Sequence, residues 1–323
     1  MRVGPANGIH GSRLAGGRAE ARGPAGRRGT RRRQWILAGS TALSRPIVRP
    51  GERRVQVADV YATITDADPA LVSQIAEVLE LRAADPQQCA MRETYLGDIQ
   101  FPAGAKVLEV GSGTGAVSRV LATWPGVAEV VGVDPSPTFL ATAQRLDPPG
   151  NVSFVEGDVR ALAFPDSSFD VVVFHTTLCH VPGPEVALRE AARLLRRDGT
   201  LAVFDGDYAT TTVALSPEDP LQACAAAWVA FSVHDPWLVR RLPWLLEASG
   251  FTLVRMRSYG YVETRDARYS PTIVDRGTAA LVAAGRIGGD TAAALKAEAR
   301  RRIAAGQFFG HIAYASLVAT LPS

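Results

Sequence analysis

Three glycines at alternate positions, Gly111, Gly113 and Gly115, follow directly on the apolar run 107–110, and Glu109 lies two residues ahead of the first. Glycine tolerates positive φ and has no Cβ, so the backbone there can turn sharply and lie against a bound nucleotide. Residues 116–123 then read as a helix whose first N–H groups face back toward the glycines. A second apolar run, 130–133, ends at Asp134, 19 residues beyond Gly115. In a doubly wound fold a carboxylate at that distance reaches the ribose hydroxyls of an adenine nucleotide. The chemistry on offer is the binding of an adenosine-containing cofactor. Gly111-x-Gly113-x-x-Ala116 also satisfies the looser dinucleotide pattern, which keeps a nicotinamide dehydrogenase as a rival. Glu109 opposes that rival, because a carboxylate there repels a pyrophosphate and suits a cationic, amino-bearing ligand.

Two further runs continue the alternation. Residues 152–155 lead into Glu156-Gly157-Asp158-Val159, and 169–174 end at His175 and Thr176. The segments VLEVGSGTG (107–115), VVGVDPS (130–136), VEGDVRALAFPDSSFDVVV (155–173) and LCHVPGPEVALREAARLLRRDGTLAV (178–203) stand in that order. With them the sequence resembles the class I S-adenosylmethionine-dependent methyltransferases, and among these the small-molecule branch that includes the ubiquinone/menaquinone-biosynthesis enzymes.

The resemblance implies S-adenosyl-L-methionine as cofactor and a small organic acceptor methylated on oxygen or carbon. Its glycine turn, Gly111, Gly113 and Gly115, would accommodate the methionine part and the sugar. Glu109 would orient the amino group, directly or through water, and Asp134 would accept both ribose hydroxyls. Asp158 would face the adenine amine, with the Val159 N–H on a ring nitrogen and Pro135 and Val159 on either side of the ring. The family also sets a basic residue ahead of the first strand on the cofactor carboxylate, and Arg92 is the candidate. His175 falls on the cofactor tail. His180 stands where related enzymes carry a paired histidine. With an ordinary pKa of about 6.5 it can take a proton from an attacking hydroxyl, or it only shapes the pocket. The run His175-Thr176-Thr177-Leu178 lacks the Asn/Asp-Pro-Pro-aromatic pattern of enzymes that methylate exocyclic amines. No acid cluster suggests a magnesium site, and no metal is expected. A cofactor-binding partner subunit without catalysis remains the alternative.

Composition narrows the setting. Forty-seven per cent of the 323 residues are hydrophobic, enough for one large core, and no apolar run approaches the ~20 residues of a membrane span. Three scattered cysteines, Cys89, Cys179 and Cys224, argue against a disulfide framework and fit a reduced, cytoplasmic location. The net charge of +3 conceals an asymmetry: residues 1–54 hold 13 arginines against Glu20 and Glu52. The remainder is acidic, which gives no electrostatic case for nucleic-acid binding. The Arg-rich leader, 1–54, is expected to be disordered. It reads as a non-functional extension, an organelle transit peptide or, through Arg31-Arg32-Arg33, an export signal.

Around these residues the pattern predicts a helical cap over 55–100, with Asp68-Pro69 opening the first helix and a second helix over 86–99. Alternating strands and helices over 101–206 predict a parallel sheet covered on both faces, α/β and doubly wound (Rossmann-like), seven-stranded. A helix is expected over 184–197, with Arg196 and Arg197 at its negative end and Gly199 stopping it. Over 207–323 further strands and helices are expected, the last strand antiparallel beside the fifth as in the family, with helices near 217–233 and 270–305 forming a substrate lid. Trp228, Trp237, Trp244, Phe231, Tyr259, Tyr261 and Tyr269 in that region either line an apolar acceptor pocket or pack the helices.

Overall fold

The computed structural model describes residues 59–322. The Arg-rich leader lies outside the described residues. Seven strands form one sheet: β1 (Ala105–Val110), β2 (Val127–Asp134), β3 (Val152–Glu156), β4 (Phe169–His175), β5 (Leu195–Thr212), β6 (Thr252–Glu263) and β7 (Gly310–Thr320). Their order across the sheet is β3-β2-β1-β4-β5-β7-β6. The first five pair in parallel, and β7 is antiparallel to both β5 and β6. Val107, Leu108 and Val110 of β1 and the unbroken run Val171 to Phe174 of β4 are buried, as strands covered on both faces must be. The chain reverses direction across the sheet between β1 and β4. Their carboxyl ends therefore open a crevice, the position at which doubly wound sheets bind ligands.

Nine helices are described. Ahead of the sheet stand a 3-10 turn at Ile64–Asp66, α1 (Pro69–Ala83) and α2 (Pro86–Leu96). The first α-helix opens at Asp68-Pro69, where the sequence placed its start. Asp68 accepts from the N–H groups of Ala70 and Leu71, and Asp85 does the same for Gln87 and Gln88, so each helix opens on an aspartate cap with proline in its first turn. Between the strands run α3 (Ala116–Leu121), α4 (Pro137–Arg145) and α5 (Pro184–Leu194). After β5 come α6 (Leu221–Ser232), α7 (Leu242–Ala248), α8 (Ser270–Ala283) and α9 (Gly289–Ala304).

Helix α5 ends at Leu194, three residues before the expected stop, and β5 begins without a loop. The reason is a competing set of partners. The carbonyls of Arg193 and Leu194 accept from Ser167 and Ser168, and Leu195 pairs with Phe169. Arg196, expected at the helix end, instead pairs with Asp170 at 2.6 Å from within the strand. Asp198, at φ 61°, makes the bend ahead of Thr200.

Helices α6 and α8 cross closely because Gly277 of α8 lies against the backbone carbonyl of Cys224 in α6; an added Cβ would overlap that carbonyl. Gly277→Ala is therefore expected to force the helices apart and cost about 1–3 kcal/mol, the range of overpacked interiors. A urea titration should give a lower midpoint with an unchanged slope; an unaltered midpoint would contradict the close crossing.

Candidate active site

The glycine turn is built by three separate constraints. Gly111 (φ 71°), Gly113 (φ 53°) and Gly115 (φ 74°) all occupy left-handed backbone. The side chain of Thr177 fills the space a Cβ on Gly111 would need, and its hydroxyl donates to the Val110 carbonyl at 3.1 Å. Gly115, the residue before α3, abuts the Phe154 ring. Gly111 and Gly113 line a cavity of about 250 Å³ at the carboxyl ends of β1, β2 and β4, whereas Gly115 does not line it and serves packing. Arg92, Glu109, Asp134, Pro135, Asp158, Val159, His175 and His180 all line the same cavity.

Their environments differ from what charge alone suggested. Asp134 is buried at the end of β2; its Oδ2 accepts from the Gly113 N–H at 2.8 Å and its Oδ1 from the Ser136 N–H at 2.9 Å. Each oxygen keeps a further acceptor site. Burial pushes its pKa up to about 6 against those two hydrogen bonds. Glu109 is 2% exposed and accepts from the Ser118 hydroxyl of α3. Burial pushes it up to about 8, despite that bond and with a smaller push from Asp134. Burial thus opposes, in the ligand-free site, the negative charge on which the sequence argument for Glu109 relied. Asp158 is exposed and held by the Arg160 guanidinium, at 2.9 and 3.1 Å from Nε, which lowers its pKa. It meets a further partner only by sharing its oxygens with Arg160.

Helices α1 and α2 close the cavity opposite the sheet. Arg92 of α2 is buried, donates to the Ala83 carbonyl at 3.1 Å and to Cys89 Sγ at 3.3 Å, and leaves Nε without a partner. It makes no ion pair among the described residues. The His175 ring stacks on Phe204 with centroids 4.7 Å apart, and its Nδ1 meets the Tyr95 hydroxyl at 3.0 Å. Burial, then Arg82 and Arg92, hold its pKa well below the usual histidine value.

His180 belongs to a short 3-10 turn, Leu178–His180, pinned by the bond from the Cys179 N–H to Asp205 Oδ2. Its Nδ1 lies 2.7 Å from Asp59 Oδ2, and its ring is 4.4 Å from that of Tyr61. Asp59 also accepts from the N–H groups of Tyr61 and His234. A carboxylate that accepts from three directions holds Nδ1 as the protonated nitrogen and leaves Nε2 as the acceptor. Sequence reasoning missed Asp59, Tyr61 and Arg82, which line or back the same cavity.

The aromatic group expected near a lid does not line it. Trp228, Tyr261 and Tyr269 are buried in helix and sheet packing, while Trp237 and Trp244 are half exposed. Every cavity-lining residue precedes residue 183, so the walls are the strand ends, α1, α2 and the loop after β4. No group of three or more His, Cys, Asp or Glu side chains suited to a metal occurs among the described residues, nor does a helix long and apolar enough to cross a membrane.

A family model described as a methyltransferase domain matches residues 108–203. The demethylmenaquinone methyltransferase of Tropheryma whipplei (strain Twist) is 32% identical over 190 residues, covering 52% of this chain and 76% of that protein. The 2-methyl-6-phytyl-1,4-hydroquinone methyltransferase of a Synechocystis species is 40% identical over 106 residues, 32% of this chain and 33% of that protein. The ubiquinone/menaquinone biosynthesis C-methyltransferase of Ectopseudomonas mendocina is 38% identical over 107 residues, 32% of this chain and 42% of that protein. The chain thus spans less than half the length of these last two relatives. Among solved structures, one from Bacillus halodurans C-125 superposes with a TM-score of 0.53 at 20% identity, over 72% of this chain and 99% of that one, a likeness of fold.

The two buried acids set a pH dependence. Their folded pKa values lie above the ordinary 4.5 and 3.8, so the folded state binds protons more tightly than the unfolded one. Their contribution to stability is full below pH ~4 and is lost as pH rises through about 6 and 8. The ligand-free protein should lose stability between about pH 5 and pH 8, and Glu109→Gln should flatten that fall by roughly 2–4 kcal/mol at the upper end. Denaturant titrations at several pH values measure it; parallel curves for the two proteins would refute the assignment.

Proposed function

The chain belongs to the class I S-adenosylmethionine-dependent methyltransferases, and on that premise we propose that it transfers a methyl group to an oxygen or carbon of a small, apolar or hydroxyaromatic acceptor. The observation that carries this reading is one cavity with two kinds of equipment. It is lined by a buried guanidinium without an ion-pair partner among the described residues, Arg92, by two buried acids, Glu109 and Asp134, beside the glycine turn, and by His180, which Asp59 backs. The quinone-type acceptors named for the menaquinone and phytylhydroquinone relatives support a hydroxyaromatic substrate.

The donor set fits S-adenosylmethionine. Arg92 has the unused donor its carboxylate requires, Glu109 can shed its proton to face its ammonium, and Asp134 retains acceptor capacity for two ribose hydroxyls. Pro135 and Val159 line the cavity where the adenine would lie, with Asp158 at its edge. His175, kept neutral by burial and by Arg82 and Arg92 and oriented by Tyr95 and Phe204, gives the tail a wall.

When bound, the cofactor supplies a methyl group on a sulfonium, a leaving group that needs no acid from the protein. What remains for the protein is position and one proton. Holding the acceptor atom in line at contact distance can supply about 7–11 kcal/mol of the barrier. His180 Nε2 takes the proton from the acceptor hydroxyl, and Asp59 fixes the tautomer and balances the imidazolium that forms.

Calorimetry should show binding of S-adenosylhomocysteine and none of NAD. Asp134→Ala should weaken that binding by ~1.5–3 kcal/mol per charge-assisted bond lost. NAD binding without an adenosylhomocysteine signal would sink the reading.

Turnover is measurable by the mass gain of one methyl group in a metabolite extract supplied with S-adenosylmethionine. His180→Ala should lower kcat by about 10²–10⁴ and leave adenosylhomocysteine affinity nearly unchanged. His175→Ala should instead weaken the cofactor. Undiminished turnover in His180→Ala would reduce that histidine to pocket lining.

A further inference from the structure

Three arginines line the cavity, and one of them, Arg160, is paired with Asp158. Arg92, buried, and Arg82, half-buried in the last turn of α1, form no ion pair among the described residues. A guanidinium withdrawn from water without a carboxylate is costly unless a ligand supplies the charge. S-adenosylmethionine carries a single carboxylate, so it can match one of the two.

Arg82 is also aimed. Its Nη2 donates to the Thr176 hydroxyl at 2.7 Å, the one side-chain hydrogen bond it makes among the described residues. Thr176 stands at φ 53°, a left-handed conformation that is strained for a β-branched residue. Its N–H is fixed on the Phe204 carbonyl at 2.6 Å. The strained turn after β4 thus holds the guanidinium, whose other donors stay free.

A second polar group lines the same cavity. Gln88, first turn of α2, is 3% exposed, and its amide faces the buried hydroxyl of Tyr314, itself an electrostatic neighbour of Arg82. The other titratable groups facing Arg82 are the phenols of Tyr61, Tyr208 and Tyr269, with the His175 imidazole close by; burial raises the pKa of Tyr61 and Tyr208, which keeps those two neutral. Nothing among these neutralises the guanidinium.

We propose that Arg82, positioned by Thr176 and assisted by Gln88, is the anion seat of the methyl acceptor, so that the enzyme selects an acceptor bound through an ionised oxygen, a phenolate or a carboxylate. This rests on the methyltransferase reading and narrows it. The oxyanion on Arg82 orients the acceptor so that a neighbouring atom faces the methyl group, while His180, which lines the same cavity and is backed by Asp59, receives the proton of a separate hydroxyl. Arg92 is left to the cofactor.

The test uses the full chain saturated with S-adenosylhomocysteine and three probes: 4-nitrophenol, benzoate and the uncharged 4-nitroanisole. Absorbance titration should show the pKa of bound 4-nitrophenol lowered by about one to three units, the shift a nearby cation produces. The wild-type measurement stands even if a variant fails to fold. Arg82→Gln should abolish the shift and weaken both anions at least tenfold, with 4-nitroanisole and adenosylhomocysteine unaffected; Arg82→Lys should restore part of it. Thr176→Val should weaken the anions more than Thr176→Ser. The relative affinities of 4-nitrophenol and benzoate say whether the seat prefers a phenolate or a carboxylate. The proposal is overturned if bound 4-nitrophenol keeps its solution pKa, if neither anion binds, or if Arg82→Gln weakens adenosylhomocysteine and spares the anions. Failure of adenosylhomocysteine itself to bind would instead overturn the methyltransferase reading.

Discussion

Burial of the central strands on both faces is the constraint from which the site follows. Residues of β1 and β4 have no solvent-facing side, so polar groups can enter only where these strands end. Glu109 is the exception, seated within β1 and satisfied by Ser118. Lys106 and Asp170 sit at the opposite, amino ends, where they pair with Glu129 and Arg196, and the polar groups of the site gather at the carboxyl ends: Asp134 closing β2, His175 closing β4, and Thr176 and Thr177 just beyond. Because β1 and β4 are neighbours whose connections leave in opposite directions, the crevice between their ends is open before any loop contributes. Helices α1 and α2 then complete the enclosure, tied down by Arg119 on Glu80 and by the bond between Tyr95 and His175.

Low dielectric in that enclosure explains the uneven charge states. The two acids nearest the glycine turn are pushed toward neutrality, and the two guanidiniums cannot be, since arginine does not give up its proton. The ligand-free cavity is therefore more positive than its composition suggests. On the proposed reading, a zwitterionic tail and an acidic acceptor would relieve that imbalance, and an ammonium group beside Glu109 would favour its ionised form. Binding and protonation would then be linked.

Much of this was legible in the sequence because its causes are local. Alternating apolar runs, aspartate-proline helix openings and the alternate glycines each specify structure within a few residues, and they located the sheet and every site candidate except Gly115 on the cavity. What escaped notice depends on distant partners. Asp59 meets His180 across 121 positions, and nothing around Asp59 marks it except an acid among apolar neighbours. Arg82 sits on a helix whose sequence reads as a mixed surface, and its aim is set by the hydroxyl of Thr176, 94 positions away. The early end of α5 has the same origin, since Phe169 and Asp170 of a neighbouring strand recruit Leu195 and Arg196. The tryptophans misled for a related reason: clustering in sequence put them into different environments, some in helix packing and some in solvent.

Asp59 joins three stretches of chain in one carboxylate: the segment ahead of α1, the turn after β4 and, through the His234 N–H, the exit of α6. None of these stretches is adjacent in sequence, and two of them lie outside the nucleotide-binding half of the sheet. A nascent or partly opened molecule can therefore possess a finished glycine turn and a working cofactor grip while its histidine has no fixed tautomer. On the proposed reading, the proton acceptor is therefore completed by contacts of longer range than those that build the nucleotide crevice, so the two halves of the site need not be finished together.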